Sequence, residues 1–193
     1  MTPRGGSRIG QLGLEAARRA AVDGGVPEGM ADLRVFQVLL QHPPLARRLY
    51  DLLEQLLLRN SLDARLRELV IMRIAWRTGS VYEWTQHWPI ARGVGIDEPD
   101  VLAVRDWRAH TGFGPADRAV LAASDEVIDR GAISSATWAE CASAVGDTEA
   151  LIELVSAIGA WQMISVVLRS LAIDLEDGAA PWPPDGTRPP DVT

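Results

Sequence analysis

The chain has 193 residues, 47% of them hydrophobic, enough to bury one substantial core. Its formal net charge is −7 with no contiguous basic run, which argues against nucleic acid and anionic membranes as partners. All 19 basic residues are Arg, which excludes Schiff-base, pyridoxal-phosphate and P-loop lysines; the single cysteine, Cys141, excludes an internal disulfide, a CxxC pair and a cysteine-based zinc site.

Residues 1–8 and 178–193 (GAAPWPPDGTRPPDVT) are rich in Gly and Pro and read as disordered ends, or as arms on a neighbouring surface, around one domain over 9–177. The N-terminus lacks the apolar run of a signal peptide, so a cytoplasmic location is expected. A first helix is predicted over about 8–21, and a second over 31–41 that stops before His42-Pro43-Pro44. A longer helix over 45–59 follows, and Asp63 reads as the N-cap of a helix ending at Gly79. Ser80 opens the next helix, closed by Gly95, and a short helix is predicted near 97–105.

Pro115 suits the first turn of a helix ended by Gly131. Another helix spans SSATWAECASAV, and Asp147 caps a long apolar helix to about Leu171. The stretch from Leu151 to Leu168 carries Glu153 and Gln162 and ends against Arg169, so it reads as a core helix rather than a membrane span. Nothing alternates with period two, and the expected class is all-α. Arg67-Glu68-Leu69-Val70 with Ala75-Trp76 is echoed by Ile152-Glu153-Leu154-Val155 with Ala160-Trp161, which points to a duplicated helical unit.

The chemistry concentrates in Ser80-Val81-Tyr82-Glu83-Trp84-Thr85-Gln86-His87. Glu83 and His87 are four residues apart, so on a helix they share a face, one continued by apolar Ile90, Ala91 and Val94. On the preceding helix Glu68 shares a mostly apolar stripe with Ala64, Ile71, Met72 and Ala75, while Arg65, Arg73 and Arg77 mark a separate charged stripe. Carboxylates and an imidazole aimed into dry space acquire displaced pKa values, as acid/base chemistry near neutral pH requires. Bland readings compete. Ser80-x-x-Glu83 is also a capping box, Glu83 and His87 also make a helix-stabilising pair, and Glu68 also suits pairing with Arg65 or Arg73. Trp84 and Trp88 read as packing or as pocket walls, and Pro89 as a kink or a helix restart. His42 and His110 read as cap or surface residues, and Asp106, Asp117 and Asp125 as solvated or capping.

The run LRELVIMRIAWRTGSVYEWTQHWPIARGVGI resembles the core motif of the carboxymuconolactone decarboxylase family, with the alkyl hydroperoxide reductase D-like fold. Supporting context comes from His42-Pro43-Pro44-Leu45-Ala46, Asp117-Arg118-Ala119-Val120 and Glu153-Leu154-Val155-Ser156, so the resemblance covers about 33–175. In the family's peroxidase branch an upstream Glu precedes a CxxC and a His; here Glu68 matches the Glu, Ser80 and Glu83 stand at the cysteine positions, and His87 matches the His. Thiol peroxidase chemistry is therefore not expected, and the resemblance is to the cysteine-free branch.

That branch implies a cofactor-independent enzyme on a small carboxylated lactone or carbonyl compound, with no metal and no nucleic-acid or membrane partner. By resemblance His87 is the proton donor, Glu83 orients it, and Glu68 orders the pair. Tyr82, Trp84 and Trp88 are candidate pocket walls, and Arg73 or Arg92 a holder for a substrate carboxylate. The implied reaction is decarboxylation, a carbon–carbon lyase step; isomerisation or cyclisation of an aromatic or polyketide-like intermediate needs the same machinery. A non-catalytic ligand-binding protein of the same fold is the rival reading. Family members assemble as trimers or multiples, so a homo-oligomer is expected, with Trp182 in an exchanged arm.

Overall fold

A computed structural model describes residues 7–180 and 185–187; the expectation for Trp182 lies outside the described residues. The described chain is helical without a strand. The first helix, α1 (Leu14–Gly24), starts later than its apolar spacing predicts, because Ser7–Gly10 form a turn whose Arg8 N–H donates to the Leu171 carbonyl. A 3₁₀ turn (Glu28–Asp32) and α2 (Arg34–Leu39) replace the single helix expected over 31–41. These pack with α3 (Pro43–Leu58) in a cluster around Phe36, Leu40 and Ala46. His42 caps α3, its ring accepting from the Leu45 N–H at 3.3 Å.

The structure is organised around α4 (Ala64–Thr78), capped by Asp63 and ended by Gly79 in the left-handed conformation that glycine adopts without strain. Every residue from Leu66 to Trp76 on α4 is buried, because α5 (Val81–Gly93), α7 (Pro115–Arg130) and α9 (Thr148–Ser170) surround it. A helix covered on all sides must find partners for its charges. The short α6 (Glu98–Ala103) and a 3₁₀ turn (Val104–Asp106) pack beside α5, and α8 (Ser135–Val145) beside α7. α5 continues through Pro89 instead of restarting there. Of the described helices, α9 has the length and hydropathy to cross a membrane. Its inner side, including Leu154, Ile158, Trp161, Ile164 and Leu168, is buried in the bundle.

The Arg stripe of α4 faces α7 and is neutralised there. Arg73 is bidentate to Asp125 (2.7 and 3.0 Å) and also donates to the Val104 and Arg105 carbonyls. Asp125 further accepts from Arg77, Arg108 and the Trp107 indole N–H. Asp125 is thus a buried hub rather than the solvated or capping residue its sequence context suggests. Burial would raise its carboxyl, yet the bonds and charge of Arg73 outweigh that and hold it below the usual range. Asp117 does cap, accepting from the Gly114 N–H, while also pairing with Arg65.

Asp125→Ala strands the Arg73 guanidinium in the interior without its counter-charge. Denaturant unfolding is expected to show a loss of about 3–5 kcal/mol; a loss under about 1 kcal/mol would contradict the assignment of Asp125 as the hub.

Candidate active site

Four polar side chains of α5, Tyr82, Glu83, Gln86 and His87, form with Ile90 one wall of a cavity of about 340 Å³. Their spacing (i, i+1, i+4, i+5) sets them on one helical face. Trp161, Ile164 and Leu168 of α9 close a second side, and α2 and α3 supply a mostly apolar wall including Phe36, Leu39, Leu53 and Leu57, with Tyr50 and Glu54 beside them.

Behind that face Glu68 is completely buried on α4. Its Oε2 lies 2.8 Å from His87 Nδ1, and its Oε1 accepts from Arg67 Nε at 3.0 Å. Arg67 also donates to the Leu57 carbonyl. Neither Arg65 nor Arg73, the partners suggested by spacing, reaches Glu68; both are engaged toward α7. Burial would raise the Glu68 carboxyl, but His87 and then Arg67 more than offset it and hold it below its ordinary value.

The other imidazole nitrogen, Nε2, accepts from the Trp161 indole N–H at 3.2 Å. An indole nitrogen only donates, so Nε2 carries the lone pair and Nδ1 carries the proton directed at Glu68. Glu68, His87 and Trp161 therefore form one chain that fixes a neutral imidazole in a single tautomer. A metal at His87 would have to displace the Trp161 contact, since both ring nitrogens are engaged.

Glu83 is not part of that chain. It is 2% exposed, and its Oε2 accepts from the Ser165 hydroxyl of α9 at 2.6 Å. Its Oε1 is buried with no hydrogen-bond partner. The capping box does not form, because Ser80 makes no side-chain cap and Glu83 turns inward instead. Burial pushes the Glu83 carboxyl well above its ordinary value, and the single Ser165 bond does not reverse it. The two carboxyls are thus shifted in opposite directions, Glu68 down and Glu83 up, a separation typical of acid/base sites.

Other expected site residues fall elsewhere. The orienting partner of His87 is Glu68, not Glu83. Trp84 and Trp88 are not walls of the cavity; Trp84 packs in tilted contact with both Trp76 and Trp88 (ring centroids 5.9 Å apart in each pair) in the cluster between α4, α5 and α6. Arg73 is locked to Asp125, and Arg92 donates to the Ile96 carbonyl. Tyr82 does line the cavity, but its hydroxyl donates to Glu176 at 2.5 Å and accepts from the Val35 N–H. Gln86 donates to the same Glu176 carboxylate. Cys141 lies on α8 in a separate buried cluster, where burial pushes its thiol up to about 11, so little thiolate exists at neutral pH.

Sequence reading missed Trp161 and Ser165, which sit in an apolar run that reads as plain core. The one signal was the echo aligning Trp161 with Trp76, two tryptophans that the structure puts to different uses.

Because the folded chain retains a proton on Glu83 that the unfolded chain releases, stability falls as pH rises from the ordinary glutamate range toward the raised value. Glu83→Gln removes that dependence. Urea unfolding from pH 5 to 8 is expected to show the variant gaining on wild type as pH increases; parallel profiles would contradict a protonated Glu83.

Residues 43–126 match the model of the carboxymuconolactone decarboxylase family. No match was found among curated proteins. Among solved structures the chain is similar to the alkylhydroperoxidase AhpD core of an uncharacterised peroxidase-related protein from Ralstonia eutropha JMP134 (TM-score 0.72, 16% identity, covering 91% of this chain and 98% of that one). It is also similar to the debrominase Bmp8 in complex with 2,3,4-tribromopyrrole (TM-score 0.68, 18% identity, 89% and 92% covered). A third is an uncharacterised peroxidase-related protein from Silicibacter sp. TM1040 (TM-score 0.68, 14% identity, 93% and 96% covered). These likenesses establish the AhpD-like fold, and the match to the carboxymuconolactone decarboxylase family model over 43–126 spans the candidate site's two charged helices, α4 and α5, where no cysteine stands.

Proposed function

We propose that this chain is a cofactor-independent acid/base enzyme that moves protons on a small carbonyl compound, with His87 as base and Glu83 as acid. The observation that carries this reading is the pairing of a buried carboxyl, held only by Ser165 and with no partner at Oε1, with an imidazole whose tautomer Glu68 and Trp161 fix, on the same cavity wall.

His87 Nε2 takes a proton from the carbon next to the carbonyl, exchanging its Trp161 contact for that proton. The C–H electron pair passes into the carbonyl, and Glu83 Oε1 gives its proton to the oxygen, leaving an enol. Glu68 stabilises the imidazolium so formed. Once the imidazolium proton has swapped with solvent, its delivery to the original carbon, with the enol proton returning to Glu83, gives exchange; delivery to the far end of a conjugated system, with the same return to Glu83, gives isomerisation. The relay separates the roles differently from the resemblance, since here the carboxyl is the resting donor and the imidazole the resting base.

Decarboxylation, the reaction the family name implies, requires a substrate carboxylate in the cavity. No guanidinium lines it among the described residues, which favours isomerisation or a related tailoring step. The debrominase of the same fold, which binds tribromopyrrole, is a precedent for a small ring compound in such a fold.

The test is incorporation of solvent deuterium into enolisable cyclic ketones, run beside carbon dioxide release from carboxylated lactones and β-keto acids. Exchange by wild type should fall about 10²–10⁴-fold in His87→Ala. Glu68→Gln should lower kcat with little change in KM, because it acts through His87. Exchange that is equal in wild type and His87→Ala would sink the proposal.

A further inference from the structure

The cavity also carries information about what enters it. Its wall from α2, α3 and α9 is mostly apolar, including Phe36, Leu39, Leu53 and Ile164. Polar side chains are gathered on α5 and at Tyr50 and Glu54 of α3, and most of them are already engaged, Tyr50 donating to Glu54. The Tyr82 hydroxyl and the Gln86 amide are tied to Glu176, and His87 is held at both nitrogens. Glu83 Oε1 is left as the buried lining atom with no partner.

Charge is equally one-sided. The ionisable carboxyls on the lining are Glu54 and Glu83, and no arginine appears there among the described residues. Behind the wall, the Arg67 guanidinium is spent on Glu68 and the Leu57 carbonyl, and that of Arg34, near Tyr82, on Asp177. An anion placed here would lose its water, meet the Glu54 carboxylate and find no counter-charge among the described lining residues.

We propose that the cavity takes a neutral, largely apolar molecule of about bicyclic size with a single hydrogen-bonding handle met by Glu83, and that it rejects carboxylates of the same shape. A volume of about 340 Å³ lies at the small end of ligand cavities. This assignment rests on the acid/base reading for the role of Glu83, but the physical basis for rejecting anions lies in the whole lining.

Isothermal titration of wild type with β-tetralone and with its ring-carboxylated analogue tests it. The neutral ketone is expected to bind about 100-fold or more tightly than the carboxylate at neutral pH. Leu58→Arg adds a cation at the exposed rim, where Leu58 is 77% exposed and the fold is not at risk, and should narrow that ratio by raising carboxylate affinity. Equal affinity for the two probes, or no binding of β-tetralone in the millimolar range, would overturn the proposal. Solvent deuterium uptake by bound β-tetralone separates the two ideas. Selective binding without His87-dependent uptake upholds the ligand class while removing the acid/base role.

Discussion

A carboxylate with no access to water anchors this site. Glu68 sits at the centre of a helix covered on every side, where an unpartnered charge would be intolerable, and two neighbours make it tolerable: Arg67 on one oxygen and His87 on the other. The consequence passes along the chain of bonds. With Glu68 ionised, the imidazole proton belongs on Nδ1, and the Trp161 indole meets the lone pair on Nε2. Removing the burial of α4 would free each of these groups to rotate and exchange with water, and the tautomer would no longer be fixed.

The same helix solves its electrostatic problem twice, in opposite senses. Toward α7 it presents arginines, and the partner helix answers with Asp125, giving a structural hub with every charge matched. Toward α5 it presents a carboxylate, and the answer is a titratable imidazole rather than a permanent cation. The first arrangement is inert because arginine does not exchange protons near neutral pH; the second is suited to proton traffic because histidine does. Glu83 completes the contrast. It is buried like Glu68 but given only a serine hydroxyl, so it keeps its proton.

Much of this was legible from the residues. The helix boundaries at Asp63, Gly79, Pro115, Gly131 and Asp147 follow from local capping and turn chemistry, which acts within a few residues and leaves its mark in the sequence. The burial of Glu68, Glu83 and His87 followed from their place on apolar stripes. Their pairing did not. Spacing of four made Glu83 the natural partner of His87, whereas the helix crossing of α4 and α5 gives that place to Glu68, 19 residues away in the chain. The apolar wall from α2 and α3 and the contributions of Trp161 and Ser165 depend on how distant helices meet, and no local pattern records that. The tryptophans at 84 and 88 were ambiguous for the same reason: the pattern marks them as buried without saying against what.

The account rests most heavily on the resting protonation of Glu83. Carbon-13 NMR of protein labelled at the glutamate side-chain carboxyls, with Glu83 assigned by its absence in Glu83→Gln, reads that state directly. A Glu83 resonance at the protonated-acid position at neutral pH is predicted, moving to the carboxylate position only above the ordinary glutamate range, while Glu68 stays at the carboxylate position. A Glu83 signal already at the carboxylate position at neutral pH would contradict the assignment of Glu83 as the acid and His87 as its complementary base.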